Sequence, residues 1–111
     1  MSDEIKKYLI DILDSIEKID IHLGGKRDFL IYSGNITIKR AVERELEIIG
    51  EATNRILKIA PEFQITHARI IVDLRNRVIH SYDSVDDNLV WRIVVKNIPI
   101  LKEEVALILK S

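Results

Sequence analysis

A chain of 111 residues without cysteine is long enough to close one hydrophobic core and too short for two, and no disulfide framework, thiol nucleophile or cysteine-ligated zinc can serve it. Apolar residues make up 47% of it and charged residues 32%, with two prolines and four glycines, a balance that predicts a packed globule rather than a disordered tail. The formal net charge of -1 excludes a general attraction to nucleic acid, so any contact with a nucleotide or RNA needs a local patch.

The opening Met-Ser-Asp-Glu-Ile-Lys-Lys has no apolar signal core, and no apolar run approaches the roughly 18 residues of a membrane span. The expectation is one domain over residues 1–111, cytoplasmic and without membrane contact. From about Asp3 to Leu23, Ile5, Tyr8, Leu9, Ile12, Ile16, Ile19 and Leu23 recur at steps of three and four, which predicts an amphipathic helix. Ser2 or Asp3 can cap it, and Gly24-Gly25 can end it in a left-handed turn. Phe29 and Leu30 are expected to dock on the core as a short helical turn.

After a break at Ser33-Gly34-Asn35, helical spacing resumes through Ile38, Ala41, Val42, Ile49, Ala52, Ile56 and Ile59 and stops before Pro61, whose predecessor is biased away from helix. Gly50 inside this helix predicts a close-packed neighbour. A third helix is predicted from about Gln64 to Ile79 or Ser81, with Ile65, Ala68, Val72, Leu74, Val78 and Ile79 as its apolar positions. The last begins near Asp86, capped by Ser84 or Asp86, and runs through Leu89, Val90, Ile93, Val94, Ile98, Leu101, Val105 and Leu109. Pro99 should kink it or split it near Asn97. Strict alternation never outruns Asn35-Ile36-Thr37-Ile38, so the many isoleucines read as helical. The fold class is all-α: an up-and-down bundle of four main helices plus a short helical turn.

Arg75-Asn76-Arg77-Val78-Ile79-His80-Ser81-Tyr82-Asp83 concentrates the side chains capable of chemistry. Arg75 is a permanent planar cation, His80 can move a proton near neutral pH, and Tyr82 offers a hydroxyl. A phosphodiester in RNA carries its own nucleophile, the 2′-OH. Cleavage therefore needs a proton-transfer group and a cation for the charge developing on the phosphoryl oxygens, with no metal required. His80 and Arg75 fit those roles, Asn76 can orient the imidazole or bind phosphate, and Tyr82 can bind phosphate or base. On an ideal helix, at about 100° per residue, Tyr82 falls within about 20° of Arg75, whereas His80 lies about 140° from Arg75 and about 40° from Asn76. Joint action on one phosphate then requires a loosened helix end or a second subunit. Spacing alone leaves the plainer alternative open, in which the arginine complements a helix C-terminus and the histidine is incidental.

The order Arg-Asn-x-x-x-His-x-Tyr resembles the Arg-x(4 to 6)-His-x-Tyr signature of HEPN domains in the HepT-like toxin family. Leu46-Glu47-Ile48-Ile49-Gly50-Glu51-Ala52 resembles that family's Ile-Gly-Glu-Ala segment, and Tyr82-Asp83-Ser84-Val85-Asp86, Val90-Trp91 and Ile98-Pro99-Ile100-Leu101 resemble its downstream pattern. The resemblance covers most of the chain from Ala41 to Leu101. It implies an all-α homodimer with the motif at the dimer cleft, acting as a metal-independent ribonuclease toxin without cofactor. Arg75 and His80 would be catalytic and Asn76 supporting. It also implies a partner, a minimal nucleotidyltransferase antitoxin that neutralises the toxin by transferring AMP to Tyr82. Ser81 departs from the glycine of many relatives. The alternative is a non-catalytic helical module that binds nucleotide or nucleic acid as a subunit of a nucleotidyltransferase complex.

Outside the motif, two readings of Glu51 stand side by side: a pair with an arginine such as Arg44 or Arg75, or a solvated helix carboxylate. Lys39, Arg40 and Arg44 form a basic stripe, solvated by default and an RNA or antitoxin contact otherwise. His22 and His67 read as surface or helix-end residues, and Trp91 as a core or interface anchor.

Overall fold

The computed structural model of the chain describes residues 1–65, 67, 69–73 and 86–111. Helix α1 spans Asp3–His22. Ser2, in extended conformation, accepts the Ile5 amide on its Oγ at 3.1 Å, and Asp3 and Glu4 place negative charge in the first turn, where the helix dipole favours it. At the other end the Gly24 amide donates to the Ile21 carbonyl (3.0 Å) and the Gly25 amide to the Asp20 carbonyl (2.9 Å). These are the paired bonds of a Schellman cap, and they use glycines at φ 69° and 77°.

Helix α2, Phe29–Ser33, starts from Asp28, whose carboxylate accepts the Leu30 amide at 2.9 Å. Phe29 packs on the core as expected, but Leu30 is 75% exposed and Tyr32 is the side chain this turn buries. Residues three apart share a helix face while the next one along is turned by about 100°. Phe29 and Tyr32 therefore dock together and Leu30 faces solvent.

Helix α3 spans Ile36–Ile59, with the Asn35 side chain accepting the Thr37 and Ile38 amides and Ala60 closing it ahead of Pro61. Val42, Leu46, Ile49, Thr53 and Ile56 are buried at steps of three and four, and the Thr53 hydroxyl is satisfied by donating to the Ile49 carbonyl at 2.8 Å. Gly50 is buried in the same helix. Helix α1 packs along α3 in antiparallel sense. His22 at the end of α1 reaches Glu45 near the start of α3 (2.9 Å), while Lys7, Tyr8 and Asp11 line a groove with Ile48, Glu51, Ala52 and Arg55 further along.

Of the predicted third helix, the segment 69–73 is helical. Its core residue is Ile71, fully buried, with Val72 half-buried, so the buried face is set one residue before the predicted position. Ala68, Leu74, Val78 and Ile79 lie outside the described residues.

Helix α4 spans Asp87–Arg92 and α5 spans Ile98–Lys110, joined through a π turn at Ile93–Asn97. The expected split at Asn97 is thus made without breaking the helix. The Ile98 amide donates to the Ile93 carbonyl five residues back, and the widened turn places Pro99 in the first turn of α5, the position where a helix best tolerates proline. Val90, Ile93, Val94, Ile98, Leu101 and Val105 face the common core. Each fully buried side chain of this size contributes about 1.5–3 kcal/mol of transfer free energy. The fold is all-α, with no strand among the described residues. No described helix is long and apolar enough to cross a membrane.

Candidate active site

Arg75, Asn76, His80 and Tyr82 lie outside the described residues. What the structure shows is how the chain is held on either side of them. Upstream, Ile65 and Ile71 are buried, and the His67 amide donates to a Glu104 carboxylate oxygen on α5 at 3.4 Å. Ile65, Arg69, Val72 and Asp73 share a small cavity of about 70 Å³ with Thr53, Asn54 and Leu57 of α3, so the approach to the motif runs along the C-terminal half of α3.

Downstream, the described chain resumes at Asp86, four residues after Tyr82. Asp86 caps α4 by accepting the Asn88 amide at 2.9 Å. Asp87, the first helical residue, receives the Lys39 ammonium at 2.9 Å with both side chains largely buried, 24% and 29% exposed. One turn on, Trp91 packs on α2, stacked on Tyr32 (ring centroids 5.6 Å apart) and edge-on to Phe29 (6.0 Å). Trp91 is therefore an anchor, as its sequence context suggests. Offset and edge-on aromatic pairs of this kind add about 0.5–1.5 kcal/mol beyond the area they bury.

This corner concentrates charge in a poorly solvated place. Burial is the main cause that raises the Tyr32 phenol far above its ordinary range, with the Glu43 and Asp87 carboxylates adding to it. Its hydroxyl has no hydrogen-bond partner among the described residues. Burial also raises the Glu43 carboxyl, against which Lys39 and Arg40 pull it down while Asp87 and Glu47 push it up. Lys39 is thus the cation that two carboxylates share.

The basic stripe expected on α3 is not free. Lys39 is committed to Asp87, and Arg44 contacts Glu47 at 3.3 Å, leaving Arg40 exposed. Glu51 contacts Arg55 at 3.0 Å rather than Arg44, because i,i+4 neighbours on a helix face one another; Arg75, its other expected partner, is outside the described residues. His22 does sit at a helix end, but its Nε2 hydrogen-bonds the buried Glu45 carboxylate. Sequence reading missed the Tyr32, Glu43 and Asp87 cluster. A signal for it exists: Lys39 continues the buried series Val42, Leu46, Ile49 one step back, a core-register position where a lysine needs a buried partner.

A family model described as ribonuclease HepT-like matches residues 12–108, a span that includes the whole motif and both of its anchors. The chain is 36% identical to "Putative RNase MJ1380" of Methanocaldococcus jannaschii, over 95% of this chain and 96% of that one. It is 36% identical to "Putative RNase TTE0752" of Caldanaerobacter subterraneus, over 96% and 95%. It is 35% identical to "Probable ribonuclease HepT" of Thermococcus cleftensis, over 87% and 88%. No solved structure matches the chain significantly. The chain belongs to the HepT-like ribonuclease family.

Proposed function

We propose that this protein is a metal-independent endoribonuclease, the toxin of a pair with a minimal nucleotidyltransferase antitoxin, acting in the cytoplasm as a homodimer. The observation that carries the reading is the ordered set Arg75-Asn76-x-x-x-His80-x-Tyr82 inside the span matched by the ribonuclease family model. The 2′-OH of RNA attacks the adjacent phosphorus, forming the 2′-O–P bond as the bond to the 5′ oxygen breaks. The 2′ proton leaves to a base and the departing oxygen takes one up. His80 serves this proton transfer, and Arg75 balances charge on the phosphoryl oxygens. Asn76 supports the imidazole or the phosphate.

Tyr82 is the proposed off-switch. Its hydroxyl oxygen attacks the α-phosphorus of ATP, gains AMP, loses its proton and releases pyrophosphate. The added anion competes with RNA for Arg75 and obstructs the cleft. Purified protein is expected to degrade RNA in the presence of a chelator, and His80→Ala to lower the rate by roughly a hundredfold or more with helical circular dichroism unchanged. Equal cleavage by both proteins would overturn the nuclease reading in favour of a nucleotide- or nucleic-acid-binding module. After incubation with ATP and the nucleotidyltransferase, mass spectrometry should find the AMP on the peptide that contains Tyr82.

A further inference from the structure

Where α2, α3 and the start of α4 meet, the polar groups do not satisfy one another evenly. Lys39 donates to Asp87, 48 residues away, at 2.9 Å, and Glu43 follows Lys39 by one turn on the same helix. The two α3 side chains therefore begin about 5–6 Å apart. Lysine ahead of glutamate is the weaker order for such a pair, which leaves Lys39 to Asp87. The Tyr32 phenol, fully buried in this corner, has no hydrogen-bond partner among the described residues. One ammonium thus serves carboxylates on two helices, and one hydroxyl is served by none.

The two carboxylates differ in their hold on a proton. Asp87 is ion-paired and lies in the first turn of α4, where the helix dipole favours its charged form. Glu43 is held above its ordinary 4.5, by burial first of all; Lys39 and Arg40 pull it down, and Asp87 and Glu47 push it up. These groups, with the Tyr32 phenol, are the ones that face it from α2, α3 and α4. Lifting the start of α4 would expose Glu43, take the Asp87 charge away and free Lys39 to pair with it. Each of these favours ionised Glu43, so by linkage a proton on Glu43 favours the docked helix. The gain is present in acid and is lost as the pH rises through the raised value.

We propose that the Lys39–Asp87 contact is a proton-sensitive latch: ionised Glu43 competes with Asp87 for the one ammonium, protonated Glu43 releases it, and the start of α4 is held more firmly on α3 as the medium turns acidic. The inference stands apart from the nuclease reading, because every group in it belongs to α2, α3 or α4.

The test follows amide hydrogen exchange by nuclear magnetic resonance in the full chain between about pH 5 and 8, a range in which an ordinary aspartate stays ionised. Protection factors remove the intrinsic pH dependence of exchange. The Val90 amide, which donates to the Asp86 carbonyl at 3.1 Å, reports the start of α4, and the amide of Ile49, buried in the middle of α3, reports opening of the whole bundle. Val90 should exchange more readily than Ile49 and gain protection by about fivefold or more from the alkaline to the acid end. Glu43→Gln should show the acid-side protection of Val90 at every pH. Asp87→Asn should weaken the pH dependence, because the charge facing Glu43 is gone. The single tryptophan, Trp91, stacks on Tyr32, and quenching of its fluorescence by acrylamide should fall with pH alongside the Val90 rate.

Val90 protection that is flat with pH would overturn the proposal, as would protection equal to that of Ile49 throughout, which would leave only opening of the whole bundle. A dependence that survives intact in Glu43→Gln would assign the titration to the histidines instead. Lower Val90 protection in Glu43→Gln at every pH would show that the Glu43 carboxylate helps to hold the corner, the reverse of the role given to it. Both substitutions are nearly isosteric amides; should Asp87→Asn lose its helical circular dichroism, the wild type and Glu43→Gln still decide the matter.

Discussion

Tyr32 heads the fully buried side chains by size, yet its hydroxyl finds no hydrogen-bond partner among the described residues. A buried phenol is tolerable in this state because burial and two neighbouring carboxylates keep it protonated, so only a neutral dipole is left unpaired rather than a charge. Glu43 beside it is in the opposite position, since its charged form is the one that burial disfavours. Its carboxyl is raised in the folded chain above the ordinary 4.5. Ionised Glu43 therefore opposes folding at neutral pH, and that opposition fades as pH falls through the raised value towards the ordinary one. Glu43→Gln should raise the melting temperature at pH 7 and give a diminishing gain as the pH is lowered, with none left below about pH 4, where the carboxyl is protonated in both states. A melting series from pH 3 to 8 checks this, and a gain independent of pH would show that the effect is packing rather than charge.

At the scale of elements, helix ends were readable because their signals are local. Ser2, Asn35 and Asp86 each cap the helix that follows them, and Gly24-Gly25 closes α1 with two positive φ angles. A Cβ built on Gly25 meets nothing within 4 Å, so Gly25→Ala isolates the cost of the left-handed backbone. Chemical denaturation should show a loss of about 1–2 kcal/mol, and Gly25→Asn, which tolerates that conformation better, should lose less. Pro99 likewise announced a discontinuity, although its form as a π turn depends on which carbonyl the Ile98 amide selects. What stayed illegible was tertiary. Leu30 and Tyr32 are equally plausible anchors in a five-residue helix until Trp91 is set against one of them. Ile70, Ile71 and Val72 form an apolar run from which periodicity alone cannot choose the buried member. Lys39 looked like surface charge because its partner lies in another helix. The motif's residue types and order were legible throughout, whereas the groups holding its downstream end were not, since neither Tyr32 nor Glu43 carries any signature of its own.

For the molecule as a whole, the net charge of -1 and the internal pairing of Lys39, Arg44 and Arg55 leave no broad basic surface among these groups for RNA. The local excess between Thr66 and His80 is Arg69, Arg75 and Arg77 against Asp73, three minus one, or +2. With about two phosphates neutralised on a single strand, kcat/KM should fall only about sevenfold between 50 and 200 mM salt. A decline of several hundredfold would reveal a larger basic surface, such as one completed by a second subunit. The Lys39–Asp87 contact, finally, bears on the order in which the chain is made. Synthesis runs from the N-terminus, and domains tend to form in that direction as they emerge. The helical hairpin of α1 and α3 can therefore assemble while the second half of the chain is still inside the ribosome. The motif follows it out, but the residue that fastens its far end emerges later still. In a nascent chain of this protein the motif would thus emerge before Asp87 can reach Lys39, and that contact would close only when the chain is nearly ready to leave.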